Sequence, residues 1–159
     1  VSLDLLLASR RETMQLGERI AKSVCSGDLV LLVGELGSGK TFLARAIARG
    51  LGVPARASFS SPTFSLVHEY ATDKGELLHA DLYRLLDSPV PLDLEIGRLG
   101  LRERRAQGAI VVVEWGESGQ RALGGAPALV VTLRITGSRA RHALVEGARA
   151  REVEIGSDR

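Results

Sequence analysis

Gly34, Gly39, Lys40 and Thr41 stand at the spacing G-x-x-x-x-G-K-[ST] within the stretch Gly34-Glu35-Leu36-Gly37-Ser38-Gly39-Lys40-Thr41. Successive backbone N–H groups in such a loop curl around phosphate oxygens, and glycine lets the chain turn sharply and come close. The N-terminus of the helix that follows adds partial positive charge. Lys40 then meets the β- and γ-phosphates of a nucleotide, and Thr41 offers a hydroxyl to Mg²⁺. The chain carries 18 arginines and only three lysines, Lys22, Lys40 and Lys74, so a lysine here goes against its own preference. A compact ammonium fits inside a phosphate cradle, whereas a planar guanidinium does not.

Phosphoryl transfer also needs a metal ion bridging the phosphates and a group that orients the nucleophile. Mg²⁺ keeps several waters and takes one or two carboxylates. Glu114 follows Ile110-Val111-Val112-Val113 directly, the Walker-B placement in which a rigid strand end aims a carboxylate at the metal or its water. Asp81 has the same placement on a weaker strand; an ordinary strand-end acid is the competing reading for each. Thr63, after Ser61-Pro62, could close over the γ-phosphate as a switch, although residue types alone favour a plain turn residue. Trp115, the only tryptophan, either caps the site or is buried in the core. His68, His79 and His142 read as structural. The sequence contains no asparagine, so the Asn-Lys-x-Asp code for guanine is absent and ATP is favoured over GTP.

These residues need elements to hold them. Leu29 to Val33 is a run of buried-strand type, and Leu43, Ala46, Ile47 and Leu51 recur at helical spacing until Gly50 to Gly52 and Pro54 stop the helix. Upstream, residues 3 to 7 form a first strand, and Ser9 with Glu12 has capping-box spacing before a helix whose Leu16, Ile20 and Val24 share a face. Thr63 to Tyr70 is expected as a strand turned at Asp73-Lys74-Gly75, and residues 76 to 80 as a second strand delivering Asp81. Residues 82 to 108 are mostly helical, broken by Pro89 and Pro91. Strands follow at 109–113, 129–135 and around 142–146. The alternation predicts one α/β domain over residues 1–159 around a central, largely parallel sheet with antiparallel additions, and together with the glycine-rich motif the expected fold is a P-loop NTPase three-layer sandwich. In such sheets ligands bind beyond the C-terminal strand ends, where Gly34, Asp81 and Glu114 all fall.

Composition narrows the class. Residues are 45% hydrophobic and 25% charged, and 21 basic against 19 acidic side chains leave a net +2, too little for a nucleic-acid footprint. The arginines at 98, 102, 104 and 105, and those at 139, 141, 149 and 151, read as solvated faces. Cys25 is the only cysteine, which rules out an intrachain disulfide framework and a Cys–His metal cluster. The leucines at 3, 5, 6 and 7 lack a basic leader, and no run approaches the roughly 20 apolar residues of a membrane helix. A soluble, cytoplasmic protein with neither membrane nor DNA as partner is expected.

Gly34-Glu-Leu-Gly-Ser-Gly-Lys-Thr41, Ser61-Pro-Thr-Phe64, His79-Ala-Asp-Leu-Tyr-Arg84 and Val113-Glu-Trp115 together resemble the TsaE family, also called YjeE, in order and spacing from about Thr13 to Arg141. The resemblance implies a P-loop ATPase required for N6-threonylcarbamoyladenosine at tRNA position 37. Such proteins act with the TsaD and TsaB pair and touch tRNA only indirectly. Carried over by motif, Gly37, Ser38, Gly39, Lys40, Thr41 and Phe42 hold phosphates, and Thr41 with Glu114 holds Mg²⁺. Asp81 belongs to the catalytic centre, Thr63 to the switch loop, Trp115 beside the site, and Thr13 and Arg141 near the adenine. Glu35, Ser38 and Phe42 depart from the family's usual Asp, Ala and second Thr without removing a phosphate-binding group. Extra residues between Leu86 and Glu95 leave the role of segment 87–94 open. Two other readings stand beside this one. The first is a small-molecule, nucleoside-type kinase with Asp81 activating an acceptor hydroxyl and the arginines at 98 to 105 as a lid; the second is an ATP-gated binding module.

Overall fold

The computed structural model describes residues 1–155; residues 156–159 of the expected domain lie outside it. Leu29–Val33 forms strand β2, whose first four residues are buried on both faces, as a central parallel strand requires. It lies between β5 (Ile110–Glu114) and β6 (Leu129–Ile135), parallel to both, and β4 (Gly75–Asp81) extends the parallel set beyond β5. Antiparallel strands close the flanks: β3 (Val67–Thr72) on β4, and β7 (Arg141–Glu146) then β1 (Ser2–Leu7) beyond β6. The seven strands run in the order β1-β7-β6-β2-β5-β4-β3.

Side-chain alternation gives each face of the sheet its own core. Val30, Leu32, Leu77, Ile110 and Val112 pack under α1 (Arg10–Ser23) and α2 (Lys40–Gly50), with α5 (Ala150–Ile155) beside α1. Leu29, Leu31, Leu78, Ala80, Val111 and Val113 pack under α3 (Leu92–Arg98) and α4 (Leu101–Ala106). This is the expected three-layer α/β arrangement. Helix α1 begins as its residues suggest: Ser9 Oγ accepts from Glu12 N at 3.3 Å, while the Glu12 carboxylate reaches back to Ala8 N. Helices α1 and α2 approach closely because Gly17 faces Ala46 and Gly50 faces Ala21. Lys74, at the tip of the β3–β4 turn, donates to Ala21 O (2.8 Å) and Lys22 O (3.1 Å) in the last turn of α1 and to Val24 O (2.6 Å) just beyond it.

Two local expectations change. The strand expected from Thr63 begins only at Val67, because residues 62 to 66 make a turn in which Leu66 N donates to Pro62 O and Leu66 takes φ 67°. That turn holds Thr63 beside the end of β4 instead of in the sheet. In the region 82–108, helices α3 and α4 start only after Pro91, preceded by a 3₁₀ turn at Tyr83–Leu85. Helix α5 carries no strong apolar period and was not expected. Among the described residues no helix is long and apolar enough to cross a membrane.

Candidate functional site

The same alternation that builds the core positions the polar site. Leu77, His79 and Asp81 share one face of β4, and Ile110, Val112 and Glu114 share the matching face of β5. Asp81 and Glu114 are register partners, and Glu114 is in turn the partner of Leu32, the residue before β2 ends. Two carboxylates thus arrive side by side on the face where α2 begins, both almost fully buried.

Between β2 and α2 the loop turns through Gly37 (φ 80°) and Gly39 (φ 102°), backbone conformations that only glycine adopts without strain. No side chain caps α2, so its first N–H groups are left for a ligand or water. Lys40 folds back along the loop, donating to Gly34 O at 2.5 Å and Glu35 O at 2.9 Å, with its ammonium 4.2 Å from the Trp115 ring centroid. Burial pushes the Lys40 pKa below its ordinary value, opposed by Glu114, Glu117, Asp81 and Glu35 in that order. Thr41 Oγ1 donates to both oxygens of Glu114, at 2.9 and 3.1 Å.

Asp81 is held from three directions. Ser61 Oγ donates to its Oδ2 at 2.7 Å, Thr63 Oγ1 to the same oxygen at 3.4 Å, and the Tyr83 amide to Oδ1 at 3.0 Å. The hydroxyls of Ser61 and Thr63 are 3.0 Å apart. Thr63 is therefore a turn residue whose hydroxyl is tied to the Asp81 carboxylate. Trp115 sits half-buried at φ 61°, a conformation rare outside glycine, with the Tyr83 ring 5.0 Å away.

Leu36, Gly37, Lys40, Thr41, Phe42, Thr63, Asp81, Glu114 and Trp115 line one cleft of about 460 Å³. A smaller cavity of about 220 Å³ opens on the other side of the loop, sharing Gly37, Gly39 and Phe42 and lined further by Arg10, Thr13 and Arg141. Arg141 spends its guanidinium on loop carbonyls: Nε to Ser38 O (2.9 Å), Nη2 to Gly37 O (3.3 Å), and Nη1 to Gly137 O and Ala140 O. It braces the glycine-rich loop as well as walling the cavity.

The residues present fit a nucleotide and its metal ion. Ser38 Oγ is buried without a partner, the α2 terminus is uncapped, and both loop glycines leave their Cβ positions clear of close neighbours. Among the described residues no three His, Cys, Asp or Glu side chains are grouped to hold a metal ion alone. Thr41 and Glu114 offer a hard-oxygen pair of the kind Mg²⁺ takes alongside water and phosphate oxygens.

Residue-type reasoning missed His79, Ser61 and Tyr83. His79 Nε2 lies 2.6 Å from Glu114 Oε2, and both side chains are buried. Its two-residue spacing from Asp81 on a strand was the available signal, since it puts both on one face.

Fold and site define an α/β protein whose glycine-rich loop joins a central parallel strand to a helix, beneath two strand-end carboxylates. The sequence model described as "Threonylcarbamoyl adenosine biosynthesis protein TsaE" matches residues 7–143, and the chain belongs to the TsaE family. It is 44% identical over 108 residues to the tRNA threonylcarbamoyladenosine biosynthesis protein TsaE of Streptomyces coelicolor, covering 65% of this chain and 66% of that one. The protein of the same name from Aquifex aeolicus is 44% identical over 84 residues, 53% of this chain and 63% of that one. The one from Nostoc sp. is 37% identical over 114 residues, 71% and 67%. The chain thus spans a little under two thirds of the length of the first two relatives. The crystal structure of Bacillus subtilis YdiB has the same fold, with a TM-score of 0.71 at 24% identity over 99% of this chain and 95% of that one.

Proposed function

We propose that this protein binds ATP with Mg²⁺ in the cleft beneath the glycine-rich loop and hydrolyses it slowly. In this reading it serves tRNA N6-threonylcarbamoyladenosine biosynthesis by acting on a TsaD–TsaB pair and does not modify tRNA itself. The observation that carries the reading is the convergence of Lys40, Thr41, Asp81 and Glu114 on one cleft. The TsaE family to which the chain belongs supports the pathway.

In this reading Lys40, the amides of Gly37 to Phe42 and the α2 N-terminus hold the phosphates. Thr41 and Glu114 hold Mg²⁺, which supplies charge neutralisation between the phosphates. Asp81, fixed by Ser61, Thr63 and the Tyr83 amide, orients the attacking water. Thr13 and Arg141 border the space for the base, and Trp115 closes the cleft over Lys40. Of the arginines that the kinase reading makes a lid, Arg104 pairs with Glu69 and Glu76, and Arg105 donates to Gly27 O and Leu123 O, which counts against these two as phosphate ligands.

The test is ATP hydrolysis by the purified protein, alone and with a TsaD–TsaB pair. Turnover alone is expected well below the roughly 1 to 100 per second of kinases, with stimulation by the pair. Rapid hydrolysis without partners, or indifference to them, would count against the proposal.

A further inference from the structure

The Glu114 carboxylate is 2% exposed, and one of its oxygens has a second partner besides Thr41. That partner is His79, whose Nε2 lies 2.6 Å from Glu114 Oε2 and whose ring is 1% exposed. Nδ1 of the same ring is buried with no hydrogen-bond partner. A proton on Nδ1 would be a buried donor with nothing to meet, whereas on Nε2 it is met by the carboxylate. The surroundings therefore select one neutral tautomer, with hydrogen on Nε2.

The ring is also held flat. Phe59 stacks on it with centroids 5.2 Å apart and planes 12° from parallel, and Tyr70 in turn stacks on Phe59 at 5.1 Å and 18°. Phe59 stands two residues before Ser61, at the root of the loop that holds Asp81. Tyr70, Phe59, His79, Glu114 and Thr41 thus form one continuous file from the edge strand to the cleft.

We propose that His79 is a positioning residue, which fixes the Glu114 carboxylate toward Thr41 through an Nε2–H bond and so sets affinity for the metal-loaded nucleotide. The inference rests on the nucleotide reading above. Hydrogen bonds to a ligating carboxylate limit its rotation before the metal arrives, and removing such partners typically costs roughly 10- to 100-fold in metal affinity.

The experiment uses ADP as probe, with Mg²⁺ or with EDTA, and follows the single tryptophan, Trp115, whose ring lies against Lys40. His79→Phe keeps a flat ring for stacking and removes the donor. It should weaken MgADP binding by about tenfold or more while changing metal-free ADP binding less than about twofold. His79→Gln, which can return an N–H to the same place, should recover most of the loss. Equal losses with and without Mg²⁺, no loss at all, or failure of the Gln rescue would overturn the proposal. A further measurement does not depend on any variant folding. Side-chain ¹⁵N NMR of the wild-type protein should show His79 with Nε2 protonated and Nδ1 bare, and the opposite tautomer would also overturn it. If the wild type binds no ADP, the nucleotide reading fails first, and the NMR result still decides the His79–Glu114 bond.

Discussion

Lys40 and Glu114 carry opposite charges in one buried cleft and should fail in opposite ways when altered. Glu114→Gln keeps the shape and removes the charge, so metal-free nucleotide should still bind while the Mg²⁺-dependent gain in affinity is lost and hydrolysis falls by at least about a hundredfold, the scale of losing one preorganised charge-stabilising group. Trp115 fluorescence with Mg²⁺ or EDTA and phosphate release measure these separately, and an equal loss of metal-free binding would argue against a metal-holding role. Lys40 has a pH signature as well. Its pKa is lowered in the fold by burial, so between that value and 10.5 the unfolded chain binds more protons than the folded one. Folding therefore gains as pH rises through the window, and below it the charged ammonium is a net cost. The stability difference between wild type and Lys40→Met should shift in favour of the wild type as pH climbs from neutral toward 10.5, read by urea unfolding; a constant difference would contradict the assignment. Glu114 was legible beforehand because it ends an apolar run, and Asp81 because it ends a weaker strand-like stretch, residues 76 to 80. His79 was not, because its partner is fixed by the register of β4 on β5, which neither strand's residues specify alone.

At the scale of elements, the loop and α2 are held in place by how closely α1 can approach. A Cβ at Gly17 would overlap the Ala46 side chain and come within 2.9 Å of the Ala46 carbonyl carbon, which is backbone and cannot swing away. Alanine is intrinsically the better helix former by about 1 kcal/mol, but overpacking costs about 1 to 3 kcal/mol. The steric term should win, and Gly17→Ala should destabilise by about 1 kcal/mol in urea melts; a stabilised variant would show that the helices can part freely. Lys74 offers a gentler probe. Its ammonium satisfies three carbonyls at the end of α1, where a positive charge also favours the helix dipole, so Lys74→Met should cost about 1 kcal/mol and loosen the β3–β4 turn. Amide exchange at Val24 and Lys74 would report that loosening. Turn residues such as Asp73-Lys74-Gly75 announce themselves by type, whereas Leu66 at positive φ does not. The strand expected from Thr63 therefore gave way to a turn that tertiary contacts impose, with Asp81 N donating to Leu66 O.

For the whole molecule, the cleft is assembled from the β2–α2 loop, the 61–66 turn and the ends of β4 and β5, which lie far apart in sequence and meet only in the folded sheet. A ligand that needs all of them binds the folded state and has no counterpart site in the unfolded chain. At about a hundred times its dissociation constant such a ligand stabilises by about 2.7 kcal/mol. For a chain of this length each kcal/mol moves the melting temperature by roughly 2 to 4 °C, so saturating MgATP should raise it by about 5 to 10 °C. The parallel centre of the sheet was readable because strands buried on both faces must be almost wholly apolar, and the strand-end rule then located the cleft. The thermal shift tests that inference as one object. Lys40→Met should abolish the shift, and Glu114→Gln should leave the metal-free part and lose the Mg²⁺-dependent part. Gly17→Ala should lower the baseline while keeping the shift, because it strains the scaffold without touching the cleft. If Gly17→Ala instead removed the shift, the glycine-rich loop would be held in shape by α1 packing to a degree that the bracing by Arg141 alone does not predict.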